Sequence, residues 1–574
     1  MKNLESLIYS ILDSKFKKTL MITFTAFAFF ASLMMFPTKL VLAKMLPGKS
    51  DNTFSIYVDT PKGSSIEQTR AVSACVIDFL TKEKEVMNIE LFLGQGIPLD
   101  YAGLVKGASM KQTENVSEIS VNLTDKHHRA EPSYLIVQRL RPIIQKACVP
   151  IFRGTNIKFV EQPSGPPTLA SIVVEVHGEN LSKIRSLSVD VADVLSETEG
   201  LVDIDLMTDE NFIKFELVPD QEKIARSGLS VKQVNNILYL GFEGMVIAHK
   251  NSKNSPDQIP IFLVLDKESK NIYEAKVDAL QSKLSSLNLM NIRGMMVPLS
   301  EVVTIREVKS NTMIMHKDLS RMVNVIAETD MVSQVYPLLE ARDVMLEKFE
   351  KNYIITKAGF STYMFDFTLE DKRTHEKFLI RWDGEMKVTL DTFRDLGGAF
   401  ISALILIFLL LVIYYKSYAI AGIVLLGSFL SLIGVIVGHW AANLFTTETF
   451  FLTATSLIGF IALIGISSRN SLLLIDFAKS LMECEGLKKR RAIAVAAATR
   501  AKPIMLTAVA IILGSALLAG DPVFGGLGVA LISGTVAAVF VSLLFVPVLM
   551  DNSKAMDFDK VTCDQKHENI SITK

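Results

Sequence analysis

One cation lies deep inside an apolar run. The stretch from Phe450 to Lys479, FFLTATSLIGFIALIGISSRNSLLLIDFAK, is long enough as a helix to cross a bilayer, yet it carries Arg469 well within it. A charged side chain at bilayer depth costs about 2.5–3.5 kcal/mol on insertion scales, so such a residue needs a partner and reads as functional by default. Asn470 is a polar neighbour that could hold the guanidinium in place. Asp476 follows seven residues later, on the same helical face and about 10 Å further along the axis. Two readings stay open at this point. Arg469 either snorkels towards the interface and Asp476, or it answers a group elsewhere. In either case arginine keeps its own proton, so it acts as an electrostatic and hydrogen-bonding element and never as a proton carrier. Gly459, Ala462 and Gly465 recur every three residues on this helix, the pattern of close helix contact.

Other chemistry finds little support. The net charge of −1 gives no reason to expect nucleic-acid binding. No phosphate-binding glycine loop is present, which argues against direct ATP coupling, and no nucleophile–base–oxyanion constellation stands out. Four cysteines (Cys75, Cys148, Cys484, Cys563) are too few for a disulfide scaffold and have no zinc spacing; a Cys75–Cys148 pair is conceivable, but spacing alone does not establish it. The 23 methionines raise soft-metal export, but Met295-Met296 and the Met313, Met315 pair have no Cys or His beyond His316. Glu448 reads as a solvated loop residue, and His439 with Trp440 as an interfacial anchor at the end of a span.

The elements that must position Arg469 follow from an uneven distribution of apolar residues. They make up 49% of the 574 residues and cluster in one N-terminal run and five runs after Gly398. Met1 to Lys18 reads as an interfacial lead-in, with Leu4, Leu7, Ile8 and Ile11 on one helical face. The run Thr19 to Phe36 is longer than a signal-peptide core, so it reads as a retained span. Further spans are expected at Gly398–Tyr415, Ile420–Ala441, Phe450–Phe477, Ile504–Ala519 and Gly526–Met550, the one from Ile504 being short. Lys15, Lys17, Lys18, Lys416 and the basic loop Lys479 to Lys502 then fall on one side, and the positive-inside rule makes that side the cytoplasm.

Between about Ala43 and Arg394 nothing could span a membrane. Strand-like alternation at Phe54–Val58, Ser117–Leu123, Ile172–Val176 and Arg321–Ile326 is interleaved with helical patterns at Ser65–Lys82, Ser133–Ala147, Leu181–Ser196 and Ser333–Lys351. That order is the split βαβ pattern, and the breaker Gln162-Pro-Ser-Gly-Pro-Pro167 separates two such units. Thr208 to Val308 interrupts the second unit with its own helix (Gln221–Tyr239) and polar loops. The expected fold is a six-helix transmembrane bundle with a large extracytoplasmic α+β region of ferredoxin-like split βαβ subdomains.

The plan and its local motifs resemble the C-terminal half of a resistance–nodulation–division (RND) efflux permease of the acriflavine-resistance type. The motifs are Leu46-Pro47-Gly48, Ser164-Gly-Pro-Pro167, Val297-Pro-Leu-Ser-Glu301, Arg381-Trp-Asp-Gly-Glu385 and Phe393-Arg-Asp-Leu-Gly397. The most specific are Gly465-Ile-Ser-Ser-Arg-Asn-Ser-Leu-Leu-Leu-Ile-Asp-Phe477 and Arg500-Ala-Lys-Pro-Ile-Met-Leu-Thr507. The resemblance implies a lead-in and first span over 1–42, a first porter subdomain over 43–162 and a second over 163–207 and 309–359. A docking-type insertion over 208–308, a connector over 360–396, five spans over 397–550 and a cytoplasmic tail over 551–574 complete it.

The resemblance also implies a function. Porters of this family exchange protons for amphiphiles or other toxic compounds, as trimers coupled to a periplasmic adaptor and an outer-membrane channel. They sit in the bacterial inner membrane with both termini in the cytoplasm and the large domain in the periplasm. Arg469 occupies the place where related permeases have an intramembrane lysine facing paired aspartates of the N-terminal half; Thr507 is similar to a hydroxyl position of that relay, with Asn470 beside it. The arginine is a departure from the lysine pattern. Gly465 and Asp476 are secondary packing or polar positions. The implied assembly needs an N-terminal half carrying intramembrane acidic residues, with a non-transporting remnant or membrane scaffold as the alternative; no cofactor or metal is implied.

Overall fold

The computed structural model describes residues 2–45, 50–98, 101–107, 111–126, 128–161, 168–208, 212–253, 256–266, 277–310, 312–330, 333–359, 363–445, 450–521 and 523–558. The motif Leu46-Pro47-Gly48, the breaker Gln162 to Pro167, and Glu448 lie outside the described residues.

Helix α1 (Lys2–Asp13) turns at Ser14 into α2 (Lys15–Met34), whose first turn the Ser14 hydroxyl caps. The lead-in does not lie free at an interface, as its amphipathic pattern suggested. It docks in the bundle and buries Ile8 and Leu12 against Ala492, Ile493 and Ala496, because a smooth alanine face accepts its apolar stripe.

The first soluble subdomain runs β1 (Thr53–Asp59), α3 (Ile66–Leu80), β2 (Val86–Leu93), α4 (Tyr101–Lys106), β3 (Val116–Leu123), α5 (Ser133–Cys148), β4 (Asn156–Glu161). Its strands pair antiparallel in the order β2-β3-β1-β4. Alternation turns Phe54, Ile56 and Val58 onto one face, where Val72, Val76 and Leu80 of α3 and Ile136, Leu140 and Ile144 of α5 cover them. A disulfide joins Cys75 on α3 to Cys148 at the end of α5, with the Cα atoms 5.8 Å apart.

The second subdomain opens with β5 (Ile172–Gly178), α6 (Leu181–Glu197) and β6 (Leu201–Leu206). Residues 209–313 then form a separate compact unit. It contains β7 (Ile213–Pro219), α7 (Gln221–Arg226), α8 (Val231–Phe242), β8 (Met245–Lys250), β9 (Ile259–Leu263), α9 (Val277–Ser286), β10 (Asn288–Met290), β11 (Met296–Pro298), α10 (Leu299–Val302) and β12 (Val303–Lys309). It has three two-stranded ribbons, β7–β12, β8–β9 and β10–β11; the first and third pack on a core that includes Ile224, Val234, Leu284 and Leu299, and β8–β9 is exposed. The single helix expected over Gln221–Tyr239 is two, because Gly228 at φ +71° leaves the helical region and Ser230 caps a new start with Gln233.

The chain returns through β13 (Met315–Lys317), β14 (Ser320–Thr329), α11 (Val335–Glu350), β15 (Tyr353–Lys357), β16 (Phe367–Asp371) and β17 (Lys377–Asp383). Seven strands form one sheet, ordered β13-β14-β5-β17-β16-β15 with β6 also on β14. The connector expected over 360–396 therefore contributes two strands, and β17 pairs directly with β5. Its residues Phe378, Ile380 and Trp382 alternate into the same core as Val174, Val176 and the α6 and α11 side chains.

The two subdomains meet across a charge-sorted seam. The first supplies Lys106, Arg141 and Lys158, and the second supplies Glu328, Asp203, Asp330 and Asp205. Lys106 lies 2.7 Å from Glu328, Arg141 reaches Asp203 at 3.2 Å and Asp330 at 3.0 Å, and Lys158 reaches Asp205 at 2.5 Å. Gln138 and Gln145 add bonds to Asp330 and Asp203. Glu161 ends β4 beside this seam. Burial pushes its carboxyl up to about 7 against the pull of Arg141 and Lys44, and Glu328 and Asp330 add to the rise.

Among the described residues, six helical segments are long and apolar enough to cross a membrane. They are α2, then α12 (Glu385–Tyr415), α13 (Tyr418–Phe429) continuing into α14 (Leu432–Phe445), α15 (Ala454–Glu483), α16 (Lys489–Ala519), and α17 (Gly525–Phe540) continuing into α18 (Val546–Asn552). A π turn at Val541–Phe545 precedes Pro547, which has no N–H to offer the preceding turn. The fifth span is not short: α16 begins at Lys489, so Arg500 and Lys502 are helical rather than in a loop. Hydropathy missed this turn because its burial comes from alanines packed on α1 and α18, not from long apolar side chains. The ends meet through Lys18–Asp551 at 2.6 Å and Arg490 with Asp13 and Asp551.

Two predictions follow from the seam. Removing Arg141 strands the Asp203 carboxylate, whose side chain is 1% exposed; Arg141→Ala should destabilise the soluble region by about 3–5 kcal/mol in denaturant unfolding of the purified chain. Glu161 ionises at higher pH in the folded state than in the unfolded one. Its ionisation therefore weakens the fold progressively from the ordinary carboxylate range up to about 7 and by a constant amount above that. Glu161→Gln should accordingly raise the thermal midpoint at pH about 8 and leave it unchanged near pH 4.

Candidate intramembrane coupling site

The fourth span, α15, is packed on one side and open on the other. Thr453 and Ser456 form a capping box at its N-terminus, each side chain meeting the other's backbone N–H. Ser456, Gly459, Leu463, Ser467, Asn470, Ser471 and Leu474 are buried, while Ile458, Ala462, Gly465 and Arg469 are exposed at helical spacing. Gly459 is where α17 comes close: a Cβ there would lie 3.0 Å from Leu527 Cδ1 and 3.2 Å from Ala530 Cβ. A Cβ on Gly465 would meet nothing within 4 Å. The small-residue pattern thus serves two faces, one closed within this chain and one open.

Arg469 has no hydrogen-bond or ion-pair partner among the described residues. Asp476 is not its partner, because that carboxylate accepts a 2.7 Å hydrogen bond from the Tyr415 hydroxyl at the end of α12. Asn470 is buried one position around the helix and makes no bond to the guanidinium. Thr507 is exposed on α16 and donates to the carbonyls of Pro503 at 3.2 Å and Ile504 at 2.9 Å. This is the local back-bonding of a hydroxyl in an apolar helix, at a turn whose hydrogen-bond ladder Pro503 interrupts. Arg469, Asn470, Asp476 and Thr507 are therefore not brought into mutual contact. Gly465 and Arg469 share the open face of α15.

Two polar residues have contacts in the bundle that the sequence did not indicate. Arg500 lies on α16 with its guanidinium carbon 4.8 Å from the Phe477 ring centroid, so α15 and α16 are clasped by a cation–π contact. His439 is not an interfacial anchor. It is 0% exposed and bonded to Val435 and Ser456. The sequence put it two residues before the expected end of its span at Ala441, whereas α14 runs on to Phe445, and only packing decides which way the ring points.

The family model described as the AcrB/AcrD/AcrF family matches residues 2–361 and 368–551. The chain belongs to this family of RND permeases. It is 26% identical over 385 residues to the swarming motility protein SwrC of Bacillus subtilis strain 168, covering 66% of this chain and 32% of SwrC. It is 23% identical over 523 residues to the multidrug export protein AcrF of Escherichia coli K12, covering 88% of this chain and 45% of AcrF. The multidrug resistance protein MdtC of Salmonella typhimurium strain LT2 is also 23% identical, over 446 residues, covering 76% of this chain and 39% of MdtC. The match thus spans 32–45% of these relatives' lengths. A crystal structure of a heavy metal efflux pump superposes with a TM-score of 0.69 at 17% identity, over 95% of this chain and 51% of that one. The RND architecture of a helix bundle with a soluble α/β region is therefore shared.

The two glycines of α15 give a direct test of which face is closed in this RND chain. Gly459→Leu should destabilise the purified protein by about 1–3 kcal/mol through overpacking against α17. Gly465→Leu should leave its thermal unfolding unchanged in detergent, because the new side chain enters open space.

Proposed function

We propose that these residues work as one half of a proton-driven RND efflux transporter that exports hydrophobic or amphiphilic compounds. The observation that carries this reading is Arg469, a guanidinium without a partner among the described residues on the open apolar face of α15, with Gly465 leaving room for a helix to approach. A cation in low dielectric is held by carboxylates and released when they take up protons, so one protonation event can bias two helix arrangements. Arginine keeps its own proton, so the titrating carboxylates belong to helices outside these 574 residues, an N-terminal half with intramembrane acidic residues. In this mechanism Arg469 is the fixed cation, Thr507 offers a hydroxyl that can leave its own backbone carbonyls, and Asn470 braces the helix on its buried side.

The wider reading follows from the same chemistry. The assembly is a trimer in the bacterial inner membrane, coupled to a periplasmic adaptor and an outer-membrane channel. Both termini are cytoplasmic, where the basic ends of α2 and α16 lie, and the soluble region is periplasmic.

Reconstitution tests this directly. Proteoliposomes holding this polypeptide alone should show no substrate-dependent proton flux, and flux from it alone would sink the reading. Coexpressed with a six-span partner bearing paired acidic residues, the tagged chain should copurify and restore efflux. Arg469→Lys should retain function and Arg469→Met should lose it by about 100-fold or more, the equivalent of a broken buried ion pair.

A further inference from the structure

His439 on α14 is buried where α14, α15 and α17 converge, and its hydrogen bonds fix its state. Nδ1 lies 2.8 Å from the Val435 carbonyl, which can only accept, so Nδ1 carries the hydrogen. Nε2 of the neutral ring is then an acceptor, and the Ser456 hydroxyl 2.9 Å away donates to it. Ser456 is also half of the α15 capping box, with the Thr453 N–H donating to its Oγ at 3.1 Å and its own N–H donating to Thr453 Oγ1 at 3.3 Å. Thr453 Oγ1 lies 3.0 Å from Ser456 Oγ and 2.8 Å from Thr455 Oγ1, and the Thr455 hydroxyl donates to the Val523 carbonyl at 3.2 Å. Gly526 closes over the cap, since a Cβ there would lie 2.3 Å from Thr453 Oγ1 and 2.4 Å from Ser456 Oγ. An ionisable side chain in such a place is costly to keep and functional by default.

We propose that His439 is a proton-operated latch on the N-terminus of the helix that carries Arg469. One added proton becomes an N–H on Nε2, which must donate to Ser456 Oγ instead of accepting from it. The Ser456 hydroxyl hydrogen turns to Thr453 Oγ1, and that of Thr453 turns to Thr455 Oγ1, whose own hydrogen already lies on Val523. No group loses a proton. The charge is what opens the latch: an imidazolium is set against the N-terminal N–H groups of α15, the positive end of the helix dipole, where cations are disfavoured. Among the described residues no charged side chain on the facing elements offsets this. α17 has none, the lysines of α2 are in its first turn, and the charged side chains of α15 begin at Arg469, about four turns on. On α12, whose Phe400 and Leu404 join this cluster, Glu385, Lys387, Asp391, Arg394 and Asp395 come earlier, with Arg394 paired to Asp391 and Asp395. Lys44 lies over the Phe451 ring, and Asp521 caps the N–H groups of Val523 and Phe524. The latch rests on the proton-coupled reading above for its purpose; its chemistry stands on this chain alone.

The purified full chain in lipid nanodiscs, labelled at histidine, tests it. His439 is identified by the NMR signal lost in His439→Gln, and amide exchange of residues 453–460 is followed by mass spectrometry, corrected for intrinsic pH dependence. Lowering pH from about 8 to 3.5 should protonate the ring and raise exchange in this segment about tenfold. His439→Gln, which can still bond Ser456 but cannot become charged, should abolish that pH response. If His439→Gln does not fold, Ser456→Ala should give exchange that is fast at both pH values. A ring that stays neutral throughout, or a pH response that survives in His439→Gln, overturns the latch. Neither result depends on a partner half, so a failed reconstitution and a failed latch are separately visible.

Discussion

A lipid-facing helix can leave apolar side chains open at no cost, whereas a guanidinium there is costly without a partner, and the open face of α15 carries both. Its closed side carries the hydroxyls, the glycine contact and the buried asparagine, packed among the other spans. Its open side carries Ile458, Ala462, Gly465 and Arg469. In hydrocarbon no water is available to complete the hydrogen bonds of a cation, which is why the proposed function assigns this side a partner. The surrounding spans can be understood as holding this one helix in register: α17 against Gly459, α16 through the Arg500–Phe477 clasp, α12 through Tyr415 and the Phe400–Phe460 stack at 5.2 Å.

The soluble region solves a different problem. Each subdomain has its own apolar core beneath its own helices, and the surface between them is polar and charge-sorted. An apolar joint would have to expose hydrocarbon to water in order to move. An ionic one exchanges protein partners for water and counterions, and its strength follows pH and salt. The disulfide between α3 and α5 stiffens the first subdomain internally without touching the seam. Rigid bodies with a polar joint are therefore the arrangement that these cores and this seam favour.

The histidine cap and the arginine sit on one continuous helix about four turns apart. A rigid element of this kind carries a displacement at its outer end to its middle without an intervening chain of side chains. The proposed function and the latch are thus two charge-dependent contacts on a single lever, one made to this chain and the other to a helix beyond it.

Sequence alone determined the six apolar runs, the interleaved strands and helices, the cation in the fourth span and the family they belong to. These rest on local quantities: hydropathy, periodicity and motif spacing. Only the tertiary structure decided that Cys75 meets Cys148, that Phe367–Asp383 completes the second sheet, that α16 reaches back to Lys489 and that α1 docks on it. It also decided that Asp476 belongs to Tyr415 rather than Arg469, and that His439 points into the bundle. Seven residues along a helix place two side chains on one face, but which neighbour reaches the carboxylate first depends on a tyrosine 61 residues away in the chain. The seam was equally invisible, because its cations and anions are unremarkable surface charges until two independently cored domains bring them together.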